Sequence, residues 1–191
     1  MPYHEVRTRF LGNIASPGMS TSPLRVAEDH WGGQLPAFES MDAANELIGA
    51  LVNGLWNALT RHQKRAEPFR LVRVRGDPTP DTLARLALVR QQEIDGFVAG
   101  LFHDAEEIDL PEKASNAMEV LSEVRAMLAG AVDLAQRGIR PEEVPQLAAT
   151  FKHLGELQRI VEKEMHAVVL GCTRARHQAM ASLGGRGSTL H

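Results

Sequence analysis

The chain has 191 residues, 43% hydrophobic and 24% charged, with a formal net charge of −3. That composition suits one globular domain, or two small helical subdomains sharing a core, and it disfavours both wholesale disorder and a general nucleic-acid binder, which would carry a basic excess. The single cysteine, Cys172, excludes an intrachain disulfide and a cysteine-based zinc site. No apolar run has the length of a signal peptide core or a membrane span, so a cytoplasmic protein that does not enter the membrane is expected.

Residues 1–36 are rich in Gly, Pro and Ser and show no sustained period. They read as a flexible, extended N-terminal arm with Trp31 and Phe38 as anchors. A helical domain is expected over 37–183. Ser40 or Asp42 can cap a helix that runs to about Arg65, with Leu47, Ile48, Leu51, Leu55 and Leu59 at spacings of one, three and four. Residues 68–75 alternate apolar with basic side chains, the period of a strand, but no partner strand is visible and an extended linker is expected. Thr79-Pro80 places a cap before a proline and opens a helix carrying Leu83, Ile94, Phe97 and Leu101. A further helix starts near Pro111 and stops at Gly138. Pro141-Glu142-Glu143 begins another, Pro145 restarts or bends it, and a long C-terminal helix of ~50 Å follows. Residues 184–191 form a flexible tail. The fold class is therefore all-α: a bundle of about five helices.

Gly96 and Gly100 stand four apart in the third of these segments, around Phe97. Each costs about 1 kcal/mol relative to Ala in a helix interior. Retained at that cost, they mark a close helix contact, so Gly96, Phe97 and Gly100 are the expected packing centre.

Between Glu93 and Glu112 lie seven acids and His103, with no Lys or Arg. Oxygen-rich clusters can hold Mg²⁺ or Ca²⁺. His103, Asp104, Glu106, Glu107 and Asp109 are the candidates, and His103-Asp104 is similar to the metal doublet of certain phosphohydrolases. The spacing fits no EF-hand loop, and a solvated link that caps the next helix accounts for the same residues. The basic run Arg61, Lys64, Arg65, Arg70, Arg73, Arg75, Arg85 and Arg90 could contact phosphates. Its only aromatic is Phe69, so base stacking has little support, and a solvated or internally paired face is the preferred reading. His153, His166 and His177 are too far apart in sequence to form a helical metal pair; Glu162 and His166, four apart, can pair on one face. Cys172 has no His within one turn and reads as a buried small hydrophobe. No phosphate loop, nucleophile elbow or dinucleotide fingerprint is present. Neither cofactor nor metal is expected.

The stripe Leu147, Phe151, Leu154, Val161, Met165, Val168, Cys172, Ala175, Ala179 steps alternately by four and three except at Gln158, the spacing of a coiled-coil seam. A helix longer than its neighbours would leave part of this seam uncovered. Self-association as a dimer through Met165, Val168 and Cys172 is therefore expected.

Three segments together resemble the YecA/YgfB-like family of uncharacterised bacterial proteins: 36–40 (Pro-Ala-Phe-Glu-Ser), 51–57 (Leu-Val-Asn-Gly-Leu-Trp-Asn) and 93–101 (Glu-Ile-Asp-Gly-Phe-Val-Ala-Gly-Leu). The resemblance continues more loosely past Pro111. It implies an all-helical, often oligomeric protein of bacterial cytoplasm without an established enzymatic activity. A tryptophan common before the Gly-Phe pair is replaced by Ile94-Asp95, and the Cys-rich zinc tail of some relatives is missing. The expected function is that of a non-enzymatic interaction or regulatory protein with a possible protein partner. The alternatives are a metal-dependent hydrolase at the acidic link and a nucleic-acid-associated factor using Arg61 to Arg75.

Overall fold

The computed structural model describes residues 1–17, 22–29, 31–103, 105–137 and 144–186, and these form an all-α bundle with no strand among them. The helices are α1 (Tyr3–Ala15), α2 (Pro23–Asp29), α3 (Met41–Ile48), α4 (Asn57–Thr60), α5 (Pro80–Phe102), α6 (Glu112–Gln136) and α7 (Val144–Arg186). A π-helical stretch, Gly49–Trp56, joins α3 to α4, and a 3₁₀ turn, Arg61–Gln63, ends that rod. The helix expected from Asp42 to about Arg65 is thus one rod with a widened middle. Its start is fixed by Ser40, whose hydroxyl accepts the Ala43 amide at 3.1 Å. Thr79 caps α5 in the same way, with Pro80 in the first turn. The expected stop at Gly138 and start at Pro141 lie outside the described residues, as does the tail from 187 onward; α7 itself runs to Arg186.

The expectation of an extended arm over 1–36 is overturned. Val6, Phe10, Leu11 and Ile14 give α1 an apolar face, and Phe10 and Leu11 are fully buried, while Trp31, the expected anchor, remains 44% exposed. Burying Phe10, Leu11 and Ile14 is worth about 1.5–3 kcal/mol per side chain, which outweighs a single helical glycine at position 12.

That glycine belongs to the contact. A Cβ on Gly96 would lie 2.6 Å from the Glu5 carbonyl oxygen, one on Gly100 2.8 Å from the Arg9 carbonyl carbon, and one on Gly12 2.6 Å from the Leu101 amide. The pairs 5 with 96, 9 with 100 and 12 with 101 rise together, so α1 and α5 run parallel with their backbones in contact. Phe97, fully buried, fills the space beside the crossing. Small residues at four-residue spacing give helices this approach by removing the side chains between them.

On the other side α5 packs on α6, and α6 on α7. The buried residues of α6, Ala114, Ala117, Leu121, Val124 and Leu128, step by three and four. They meet the seam of α7 in antiparallel register, for a Cβ on Gly171 would lie 3.4 Å from that of Ala114. Met165, Val168 and Cys172 are therefore completely buried within one chain. This corrects the expected self-association surface: the seam is real, but its partner is α6. Neither Gly155 nor Gly171 breaks α7, which at 43 residues is ~64 Å long against ~38 Å for the 25 residues of α6. The excess length emerges beyond Thr173, where Arg174, His177, Gln178 and Met180 are exposed.

Because the atoms facing Gly100 are backbone and cannot rotate away, Gly100→Ala is expected to lower stability by about 1–3 kcal/mol or more through overpacking. Gly130, with nothing within 4 Å of its added Cβ, is the control: Gly130→Ala should raise stability by about 0.4–1 kcal/mol. Urea denaturation of both variants gives the comparison, and equal shifts would disprove the close contact.

Candidate functional site

Residues 68–77, between the α3–α4 rod and α5, have no regular secondary structure, yet Phe69 is fully buried and Leu71 nearly so. The strand-like alternation therefore buries one face of this strap without any sheet. Its backbone must still find partners, because an unpaired buried amide or carbonyl costs as much as a lost hydrogen bond. Side chains supply them. The Val72 amide donates to Glu93 Oε1 at 2.9 Å, and the Val72 carbonyl accepts from Arg90 Nη2 at 2.6 Å. Arg90 and Glu93 also pair with each other. Three residues apart on α5, they offer Val72 one donor and one acceptor, as a neighbouring strand would.

From α7, Glu162 takes the next position, accepting the Leu71 amide at 3.1 Å and Arg70 Nη1 at 2.6 Å. Gln158 bridges Arg90 and Glu162, accepting from Arg90 Nη2 at 3.0 Å and donating to Glu162 Oε1 at 3.1 Å. The interruption of the α7 seam at Gln158 is the place where this network crosses it. From α1, Arg7 donates to the Arg70 carbonyl at 2.8 Å and stacks 4.3 Å from the centre of Phe69. Arg90 and Glu93 are 1% and 0% exposed, and desolvation raises the Glu93 carboxyl above its ordinary range, opposed by the adjacent guanidinium.

Two expectations are corrected here. Glu93, counted with the acidic link, is a buried structural carboxylate, and Arg90, counted with the basic run, is its partner. Glu162 does not pair with His166: the Glu162 carboxylate is taken by Arg70, the Leu71 amide and Gln158, and burial lowers the His166 pKa against a weaker opposing interaction with the Arg65 backbone.

The remaining metal candidates do not converge. His103 closes α5 with a φ of 48°, and its Nδ1 lies 3.3 Å from the Asp29 carboxylate of α2. Glu106, Glu107 and Asp109 are exposed, Asp104 lies outside the described residues, and among the described residues no three His, Cys, Asp or Glu side chains form a group able to hold a metal. The link does not supply a side-chain cap to α6 either: Pro111 stands at the N-cap position, before Glu112. Asp95 instead binds Arg125 across to α6. Cys172 is buried and its thiol is pushed up to about 11 by desolvation.

The basic run is likewise divided. Arg61 and Lys64 lie near Glu67, Arg70 is on Glu162, Arg85 donates to the Arg75 carbonyl, and Arg90 is internal. Arg65 is different. With Gln63 it faces Leu170, Thr173, Arg174, His177, Gln178 and Ala181 across a groove of about 470 Å³. The six α7 positions step by three and one, a single helical face. The turn that carries Arg65 is anchored by His62, which is buried, 2.8 Å from the Glu67 carbonyl through Nδ1 and edge-on to Phe69. Arg176, nearly opposite Arg174 on α7, closes the end of α1 by donating to the Ile14 and Ser16 carbonyls at 3.2 and 3.1 Å. The groove is not visible in the sequence, because Arg65 and Arg174 are more than a hundred residues apart. The one available signal was the run from Met165 to His191, which holds three arginines and no acid.

Removing one member of a buried pair leaves the other charge uncompensated, at a typical cost of about 3–5 kcal/mol. Glu93→Ala is expected to destabilise by that amount, and Arg125→Ala, which breaks the exposed pair with Asp95, by less than about 1 kcal/mol. Guanidinium denaturation distinguishes them.

Burial lowers the His62 pKa below 6.5, so the unfolded chain takes up the proton first as pH falls. The stability associated with neutral His62 is complete above pH 6.5 and is lost as pH falls through the folded value. Glu93 acts in the opposite direction: folding raises its pKa above 4.5, so its contribution declines as pH rises from 4.5 toward the folded value. Relative to His62→Gln, the wild type should lose urea resistance between pH 7.5 and 5.5. A pH-independent difference would refute the assignment.

The chain matches no protein-family model, no curated protein and no solved structure.

Proposed function

We propose that the protein is a non-enzymatic interaction or regulatory protein and that its recognition surface is the groove between the 63–65 turn and α7. The observation that carries this reading is the groove's lining. It has two arginines, two glutamines, a histidine and a threonine with no carboxylate, on a protein whose net charge is −3. Such a surface favours an anionic ligand by charge and by hydrogen-bond donation. The other ionisable groups that could do chemistry, Glu93, Glu162 and Arg90, are bound to backbone or to one another. The resemblance to the YecA/YgfB-like family, which implies no established enzymatic activity, agrees with this reading. A cytoplasmic, bacterial setting is proposed on the same resemblance; no helix among the described residues is long and apolar enough to cross a membrane.

With a sequence pI near 6.2, the protein has no overall reason to bind a cation exchanger at pH 7.5. The wild type is nonetheless expected to be retained on a sulfonate resin at low salt and to elute as ionic strength rises. A variant carrying Arg65→Glu and Arg174→Glu should flow through. Flow-through of the wild type would remove the anion-recognition reading.

A further inference from the structure

We propose that the α7 groove is a phosphomonoester site, seating the terminal phosphate of a small organic molecule between Arg65 and Arg174. This rests on the anion-recognition reading above and narrows it to one ligand chemistry.

Thr173 is the first reason. It lines the groove at 7% exposure, and its hydroxyl has no hydrogen-bond partner. A helical threonine can donate to its own backbone one turn earlier, and Thr150 of the same helix does so, to the Gln146 carbonyl at 3.1 Å. Thr8 on α1 does the same toward His4 and Glu5. Thr173 leaves that bond unmade, although an unsatisfied buried hydroxyl is unfavourable. The Thr173 hydroxyl oxygen has almost no accessible surface in the free protein, so a ligand oxygen at the groove floor gives it a partner once the side chain rotates toward the groove.

The donors are the second reason. Arg65 and Arg174 come from different elements, and neither has an ion pair or side-chain hydrogen bond among the described residues. With Gln63, Gln178 and His177 they surround the groove with more donors than the two oxygens of a carboxylate can accept. A phosphomonoester dianion offers three terminal oxygens and up to two charges, and guanidinium groups match it in a forked geometry. Leu170 and Ala181 provide apolar surface for the organic part, and the groove's 470 Å³ lies in the range of small-molecule sites.

The neighbouring charges argue against a nucleic-acid track. Arg61 and Lys64 are near Glu67, and Arg70 is held by Glu162. A phosphodiester chain leaving the groove along the turn would therefore meet neutralised cations. The site is a single seat.

Isothermal titration calorimetry with phenyl phosphate, phenyl sulfate, benzoate and a ten-residue oligothymidylate, at one ionic strength, tests the proposal. Phenyl phosphate should bind at least ~10-fold tighter than phenyl sulfate or benzoate, as expected when charge-assisted bonds are added. Arg65→Gln and Arg174→Glu should each weaken it ~10-fold or more with thermal melts unchanged, and Thr173→Val roughly 2–10-fold with a melt equal to or above that of the wild type. Lys152→Glu on the exposed far half of α7 makes the same charge change as Arg174→Glu and should leave affinity within about twofold, since it lies well beyond a Debye length. Equal affinity for the three aromatic anions, or indifference to Thr173→Val, would overturn the phosphomonoester site while resin retention kept the broader reading. Tighter binding of the oligothymidylate would overturn it in favour of a nucleic-acid surface. Failure of all four probes together with loss of resin retention would overturn both readings.

Discussion

The structure depends on how ten residues without secondary structure are held between helices. Residues 68–77 bury Phe69 and Leu71, so their peptide groups leave water. A helix would pair those groups internally and a sheet would pair them with a neighbour; the strap does neither. The Arg90–Glu93 pair on α5 takes both polar groups of Val72, and Glu162 on α7 takes the amide of Leu71. A buried ion pair alone is close to neutral for stability, because desolvation cancels most of its attraction. Here each ion also replaces a water that the strap backbone has lost. The pair therefore fixes the register of the strap on α5 and α7, and with it the position of the preceding turn that presents Arg65.

The same strap explains why α1 must lie so close to α5. Arg7 reaches the Arg70 carbonyl and covers Phe69, a reach that requires α1 beside the α5 surface that carries Arg90 and Glu93. Side chains at positions 12, 96 and 100 would hold the two helices apart. The glycines and the ion network are thus two parts of one arrangement, joined through Arg7 and through the His4–Gln92 hydrogen bond of 2.8 Å. Stability lost at either part should propagate to the turn at 62–65, since Gln63 and Arg176 both approach the Ile14 carbonyl at the end of α1.

Much of the helical architecture was legible because period and capping act locally: Ser40, Thr79 and Pro80 mark helix starts by their own side chains. Gly96 and Gly100 signalled a close approach, but their partner was hidden. Residues 3–15 lie ahead of a Gly-, Pro- and Ser-rich stretch, and reading that stretch back over them masked the spacing of Val6, Phe10 and Ile14. The α7 seam was also visible in its period, yet period does not say whether the facing stripe belongs to the same chain. Here Ala114 to Leu128 on α6 supply it. Least legible were Arg90, Glu93 and Glu162, since charged residues in helices are usually solvated and only the fold shows that three of them satisfy a strap. The irregular step at Gln158 was the trace of that network in the sequence.

The basic end of α7 has two explanations that need no ligand, and each can be weighed. Cations near a helix C-terminus gain about 0.3–1 kcal/mol from the macrodipole, but the effect fades within the last turn. Arg174 lies three turns before Arg186, where α7 ends, so the dipole does not account for it. A structural cation is needed where α1 ends with unpaired carbonyls, and Arg176 meets that need. Two positions earlier on the helix, Arg174 projects about 200° away and cannot share the task. It faces Arg65 instead, in a groove without an acid to neutralise either, beside a threonine that has declined its usual backbone bond. Neither local explanation, dipole nor structural cap, accounts for Arg174, and its place beside Arg65 in a groove lined by no carboxylate is what the anion-recognition proposal rests on.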